Sequence, residues 1–401
     1  MSTPRSVDVT VVGGGAAGIG IGVALSKLDC EFVVLERDEI GASFRQWPEE
    51  MRFITPSFPS NSFGIVDLNA VSPYTSPAYT LERQQPSGEE YAEYLEAVAD
   101  LHELPVETGV TVTNVRPITE GATSADQPTT RAADGGEAGA GFVVETSEGA
   151  VESEFLIWAG GQFNAPKRGG FPGTDLCLHA SEVDSWADHA AAASSDDFFV
   201  VGGYESGIDA AVGLVEAGSS VRVIDRGAPW LDRDPDPSEV LAPYTMERLE
   251  AVADTDRLEV AGGMTVEEVS RDEDGCFAIR ASAVGRPDER TYTTPTRPIL
   301  ATGFEPHLGP VEQFFPREEG NVQLTDRDES PSVPGLFLVG PDVTHNGVKF
   351  CFIYKFRARF PVVAETIGDR LGVDTDSLEA YREQNMFLED LSCCETAMCD
   401  C

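Results

Sequence analysis

Lysine is nearly missing from this chain: Lys27, Lys167, Lys349 and Lys355 are the only four in 401 residues. Lysine and arginine together number 28 against 69 aspartates and glutamates, for a formal net charge of −41. Such a charge repels polyanions, which argues against nucleic acid or an anionic membrane as a partner. No apolar run reaches the roughly 18 residues that a transmembrane helix needs. The opening MSTPRSVDVTVVGGG has no signal-peptide pattern and passes straight into a strand, so a cytoplasmic location is expected. No Cys-x-x-Cys occurs between residues 179 and 295, where Cys276 stands alone. Of the eight cysteines, Cys30, Cys177, Cys276 and Cys351 are scattered, whereas Cys393, Cys394, Cys399 and Cys401 crowd the C-terminus. A reducing compartment argues against a disulfide framework, so the terminal cluster asks for another reason.

The acidic residues are spread along the chain rather than gathered in one tail. Many carboxylates with few lysines resemble proteins of halophiles that work in concentrated salt, where repulsion is screened.

Buried strands alternate with helices. Val7–Val12 reads as a strand, Ala16–Leu28 as a helix and Glu31–Leu35 as a second strand, a βαβ unit. A second unit starts at Phe198–Val201 and has Val221–Ile224 as its second strand. Further strands are expected at 107–113, 141–146, Phe155–Trp158, Arg297–Ala301 and Leu336–Val339, with helices from Pro86 to Leu101 and from Phe350 to Ile367. The polar stretch Glu120–Gly141 reads as a solvated hairpin loop. The fold class is α/β, with two Rossmann-like three-layer domains and the second inserted into the first. The expected division is 1–178 with 296–388 for one domain, 179–295 for the insert and 389–401 for the cysteine-rich tail.

Gly13-x-Gly15-x-x-Gly18 follows a strand and opens a helix, and Glu36 ends the next strand. Gly13 makes the tight turn, Gly15 lets backbone approach a pyrophosphate, and Gly18 allows close helix–strand packing. Glu36 would accept from an adenosine ribose, with Arg37 beside it. The second set is Gly202-Gly203-Tyr204-Glu205-Ser206-Gly207. Here Tyr204 stands in the place of the middle glycine, where a side chain hinders the phosphate. Gly202, Gly203, Ser206, Gly207 and Arg226 are its candidate nucleotide contacts. Asp225 suits a free ribose hydroxyl, whereas Arg226 suits a 2′-phosphate. Glycine turns at Gly160-Gly161 and Thr302-Gly303, and the strand end Gly340-Pro341-Asp342, complete the pattern.

In this order the motifs resemble the two-dinucleotide-binding flavoprotein superfamily over about residues 7–370. That superfamily includes disulfide reductases, thioredoxin reductases and class B flavin monooxygenases. The resemblance implies FAD at the first loop, with Asp342 on the ribityl chain, and NAD(P)H at the second. A small-molecule substrate is implied, and a homodimer is possible. Phe44 stands where one class of disulfide reductases carries a cysteine, and Gly41-Ala42-Ser43-Phe44-Arg45 is similar to the Gly-Gly-x-Trp-Arg of the monooxygenases. That likeness puts Arg45 and Trp47 near the flavin. Phe171-Pro172-Gly173 with His179 loosely matches a monooxygenase fingerprint. Bacillithiol-disulfide-reductase-like flavoproteins also lack the cysteine pair. Leu391-Ser392-Cys393-Cys394 looks like the vicinal cysteines of mercuric reductases, and with Cys399 and Cys401 forms a redox or metal-handling tail.

Three readings follow. In the first, hydride passes from NAD(P)H to FAD, then electrons pass to oxygen and a small substrate, with Arg45 and His179 at the site. The second is reduction of a disulfide or soft metal through the terminal cysteines; Cys351 is a further thiol that can approach the flavin. The third is a redox or metal sensor with structural FAD, in which Tyr204 blocks nicotinamide.

Overall fold

The computed structural model describes residues 5–59, 65–118, 141–233, 238–285, 288–305 and 307–392. The stretch read as a polar hairpin loop, apart from Gly141, and the cysteines from Cys393 onward lie outside them. The chain divides into two compact units, 1–45 with 56–164 and 306–401, and 46–55 with 165–305.

The first unit is built on a sheet ordered β3-β2-β1-β6-β5-β4. These strands are β1 (Arg5–Val12), β2 (Phe32–Leu35), β3 (Val106–Glu107), β4 (Val112–Pro117), β5 (Phe142–Thr146) and β6 (Gly149–Trp158). β1 pairs in parallel with β2 and β6. Besides β1, β6 is long enough to serve two more partners: its first half pairs antiparallel with β5, its last three residues parallel with the strand Leu336–Leu338. Helix α1 (Ala16–Leu25) is buried over all ten residues, as its lack of a polar face requires. Its glycines admit a neighbour: a Cβ on Gly20 would lie 2.1 Å from the Phe360 ring.

The second unit repeats the plan. Its parallel sheet runs β10-β9-β8-β14-β7. The strands are β7 (Leu178–His179), β8 (Asp197–Val201), β9 (Ser220–Ile224), β10 (Leu258–Ala261) and β14 (Ile299–Leu300). Strands β11 (Met264–Arg271), β12 (Phe277–Ala283) and β13 (Glu289–Thr294) form a separate antiparallel meander. The helix Glu205–Glu216 covers the sheet; the indole of Trp186 packs on Gly213, where a Cβ would come within 2.6 Å, and its Nε1 donates to Asp209 at 3.1 Å.

Two elements depart from expectation. The strand read over 107–113 is instead the end of β3 and the start of β4, which lie at opposite edges of the sheet. The single helix read from Phe350 to Ile367 is instead a hairpin strand Val348–Lys349, a short helix Ile353–Phe356, a turn 357–359 and a helix Phe360–Leu371. Pro361 has no N–H to continue a helix from before it and suits a first turn. The two arginines at the break are buried and held in place: Arg357 donates to the carbonyls of Asp67 and Ala70, and Arg359 pairs with Asp328.

Carboxylates outnumber cations 69 to 28, so most have no cation to themselves. Even Arg45 and Arg382 are shared among several acids. The melting temperature is therefore expected to rise by about 10 °C or more from dilute buffer to molar potassium chloride. Equal melting in both, followed by circular dichroism, refutes the halophile reading.

Candidate functional site

The C-terminal ends of β1, β6 and the strand Leu336–Leu338 meet at the start of α1. Gly13 has φ +113, and a Cβ there would lie 2.4 Å from the Ala159 carbonyl oxygen. A Cβ on Gly18 would lie 1.7 Å from the Gly13 oxygen, so helix and turn touch backbone to backbone. At Gly340, with φ +112, a Cβ would lie 3.2 Å from the Ala17 methyl. Gly15 differs. A Cβ there meets a single described atom within 4 Å, the Ser43 hydroxyl oxygen at 4.0 Å. Among the described residues, the N-terminus of α1 thus opens onto space at Gly15, the middle glycine of the set, where a pyrophosphate could approach.

Glu36 closes the loop by accepting from the Gly14 and Asp38 amides. Arg37 leans on Asp38 and on Asn164, whose amide also donates to the Gly160 carbonyl oxygen. Asp342 is half-buried and has no hydrogen bond or ion pair among the described residues. Burial pushes its carboxyl up to about 6, with Arg317 opposing and Glu312 adding to the shift. An acid sheltered without a partner suits the hydroxyls of a ribityl chain. The residues present therefore fit FAD.

The second loop has the same backbone with different occupants. Gly202 has φ +102, its would-be Cβ 2.3 Å from the Ala301 oxygen, and that of Gly207 lies 1.9 Å from the Gly202 oxygen. Asp225 accepts from Gly203 at 2.9 Å and Gly227 at 2.7 Å, as Glu36 does from its own pair. Tyr204 adopts φ −87, ψ −165, against φ −83, ψ −167 for Gly15. Its side chain thus leaves the loop in the direction that is open at Gly15. Its hydroxyl reaches the carbonyl oxygens of Ser238 at 3.1 Å and Val240 at 2.8 Å. Glu205 follows in the first helical turn, bonded to the Ala242 amide and the Thr245 hydroxyl, with its carboxyl raised by burial. Trp230 lies on Gly203, where a Cβ would be 2.6 Å from the indole. Arg226 is exposed, with no polar partner among the described residues, and Ser206 is half-buried.

Arg45 and Trp47 fall in different units. Three carboxylates hold the Arg45 guanidinium, those of Glu39, Glu89 and Glu96. Trp47 packs on Phe53 at 5.1 Å. His179 is buried with both ring nitrogens engaged, Nδ1 by Ser181 at 2.8 Å and Nε2 by the Gly303 carbonyl oxygen at 3.0 Å. The network assigns the proton to Nε2. Burial lowers the histidine's pKa, against the pull of that carbonyl, so the ring is a neutral brace between β7 and the Thr302-Gly303 turn. Cys351 is half-buried.

Among the described residues no group of three or more His, Cys, Asp or Glu is arranged to hold a metal, and no helix is long and apolar enough to cross a membrane. Sequence reasoning did not single out Ser43, Asn164 or Trp230. It also passed over His345, although Asn346-Gly347 is a hairpin signature directly after it.

Residues 10–131 and 136–340 match the family described as pyridine nucleotide-disulphide oxidoreductase. The bacilliredoxin reductase Bdr of Bacillus subtilis is 25% identical over 234 residues, 57% of this chain and 66% of that protein, so the chain spans just under two thirds of that relative. The bacillithiol disulfide reductase Bdr of Staphylococcus aureus superposes with a TM-score of 0.69 at 17% identity, over 91% of this chain and 99% of that one. A flavin-containing monooxygenase from Stenotrophomonas maltophilia gives 0.65 at 16%, over 91% and 99%. Likeness at these identities shows the fold.

Proposed function

We propose, from the premise that the chain belongs to the pyridine nucleotide-disulphide oxidoreductase family, that it is an FAD-dependent oxidoreductase carrying electrons from NAD(P)H to a small disulfide. Bound FAD would supply the two-electron relay. Gly13, Gly15, Gly18 and the α1 N-terminus would hold its pyrophosphate, Glu36 its adenosine ribose and Asp342 its ribityl hydroxyls. The unit 165–305 would carry the nicotinamide nucleotide, with Gly202, Gly203, Ser206, Gly207 and Arg226 at its second loop. The tail would pass electrons outward by thiol–disulfide exchange through Cys393 and Cys394, with Cys399 and Cys401 resolving.

One observation carries the disulfide reading over monooxygenation. The two residues offered for the latter are spent elsewhere, Arg45 on three carboxylates and His179 on Ser181 and Gly303. The test is anaerobic reduction by NADH or NADPH, followed by 5,5′-dithiobis(2-nitrobenzoate) or, separately, dioxygen. The flavin band should bleach with the nucleotide and return faster with the disulfide. Return with dioxygen alone favours the monooxygenase reading.

Truncation after Leu391 is expected to keep FAD and its bleaching but to slow disulfide turnover about tenfold or more. Full turnover by the truncated protein removes the tail from the mechanism.

A further inference from the structure

Two arginines are buried among the described residues, Arg357 at 5% exposure and Arg359 at 1%. A guanidinium carries five N–H donors, and burying it is costly unless they find partners. Arg359 meets that condition. Its Nε reaches Asp328, its Nη1 the Leu388 carbonyl oxygen, and its Nη2 both Asp326 and Asp328. Arg357 does not. Its Nη1 donates to the carbonyl oxygens of Asp67 and Ala70. Its Nε and Nη2 have no hydrogen bond, and the side chain has no ion pair, to any described residue.

The polar groups around it are committed elsewhere. The Asp67 carboxylate, fully buried, accepts from the Asn69 amide at 3.1 Å, the Ser76 hydroxyl at 2.7 Å and the Ala78 amide at 3.0 Å. The Tyr91 hydroxyl donates to the Asn69 carbonyl oxygen at 2.7 Å. That of Tyr94 bonds Thr75 at 2.7 Å and accepts from the Val71 amide at 3.0 Å. Burial pulls the Arg357 pKa down to about 10, opposed by Tyr94, Asp67 and Tyr91. The side chain is therefore still a cation at neutral pH. Its backbone is fixed as well: the turn 357–359 packs on α1, and the Phe360 ring next to it lies against Gly20.

A desolvated guanidinium held by one nitrogen, with a second edge left over, is matched by a planar anion with two oxygens. In a chain of net charge −41 such a cation is an exception. The general field repels anions, so one built fork selects which of them is bound.

We infer that Arg357 is a carboxylate-binding residue of the substrate site, and that the small disulfide reduced by this protein bears a carboxylate. Nε and Nη2 donate to the two carboxylate oxygens, while Asp67 and Ala70 hold the other nitrogen. Reduction takes two electrons, relayed from NAD(P)H, and two protons, one brought with the hydride and one from solvent; the S–S bond breaks and two thiols leave. The anion site stands by itself, whereas the identity of its ligand as a disulfide rests on the reading proposed above.

The test uses the FAD-loaded full chain, reduced anaerobically with one equivalent of dithionite so that the nucleotide loop plays no part. Reoxidation is followed against concentration for 3,3′-dithiodipropionate, a dicarboxylate, and for the uncharged bis(2-hydroxyethyl) disulfide. The dicarboxylate should half-saturate at a concentration at least about tenfold lower. Arg357→Gln should raise that concentration about 100-fold, leave the uncharged disulfide unchanged, and recover in part with added guanidinium; Arg357→Lys, which keeps charge without the fork, should fall between. Suberate, the same dicarboxylate with carbon in place of sulfur, should bind the oxidised protein in isothermal titration and weaken about 100-fold in Arg357→Gln. Equal half-saturation by the two disulfides, or no binding of suberate, overturns the inference in the unsubstituted protein, even if neither variant folds. An Arg357→Gln protein that keeps its circular dichroism but loses FAD assigns the guanidinium to the cofactor and also overturns it. Suberate binding without reoxidation by either disulfide upholds the anion site and overturns the disulfide reading instead.

Discussion

Replacing Gly15 with leucine should leave a folded, colourless protein. At φ −83, ψ −167 the backbone is extended and open to any residue, and a side chain there meets only Ser43 at the edge of contact. The fold therefore loses little. The new side chain would instead stand over the N-terminus of α1, where, on the proposed reading, the FAD pyrophosphate would come within hydrogen-bonding reach. Losing that approach should cost more than about 3 kcal/mol, over a hundredfold in affinity. The ratio of flavin to protein absorbance reads the effect, and circular dichroism checks the fold. Gly13→Ala is the contrast. Its φ of +113 and a 2.4 Å clash with the Ala159 oxygen put the strain into the fold itself, so melting temperature and flavin should fall together. A yellow Gly15→Leu protein would remove the first loop from FAD binding.

Tyr204→Gly should speed reduction of the flavin by NAD(P)H. The tyrosine has the backbone of Gly15 and sends its ring where Gly15 leaves space. A dinucleotide has to displace that ring and break its hydroxyl bonds to the Ser238 and Val240 carbonyls. A net hydrogen bond of about 1 to 1.5 kcal/mol corresponds to roughly tenfold in apparent affinity, and the bulk of the ring adds to that. Tyr204→Phe, which loses the bonds but keeps the bulk, should fall between. Anaerobic stopped-flow bleaching at several nucleotide concentrations separates binding from hydride transfer. If Tyr204→Gly bleaches no faster than the unsubstituted protein, the ring is part of the nucleotide site rather than an obstacle. If no form bleaches, the sensor reading gains.

The neighbouring Glu205 bears on the same result. Its carboxylate lies in the first helical turn, bonded to Ala242 and Thr245. A negative charge there opposes a pyrophosphate at the same helix end. Removing Tyr204 should thus leave the second loop weaker for dinucleotide than the first, where Ala16 holds the equivalent place.

Both loops were legible before any coordinates because their chemistry is local. Gly13 to Gly18 and Gly202 to Gly207 each lie within one turn between a strand and a helix. Glu36 and Asp225 follow at a distance set by one helix and one strand, and each closes its loop. The helix break at Pro361 was equally local, and was passed over because the apolar pattern runs through it.

Other roles were decided by partners distant in sequence. Arg45 is drawn to Glu96, 51 residues away, and His179 to Gly303, 124 residues away. Asp328 collects His345 and Arg359, 17 and 31 residues on. A motif records that a charged or basic side chain is present, but a buried charge goes to whatever group the fold sets against it. The sequence alone therefore determined the α/β architecture and the two glycine turns between strand and helix, since these depend on glycine spacing and apolar periodicity. Only the tertiary structure decided that Arg45 and His179 brace the fold, that the Tyr204 hydroxyl anchors on residues 238–240, and that His345 stands oriented by a buried aspartate.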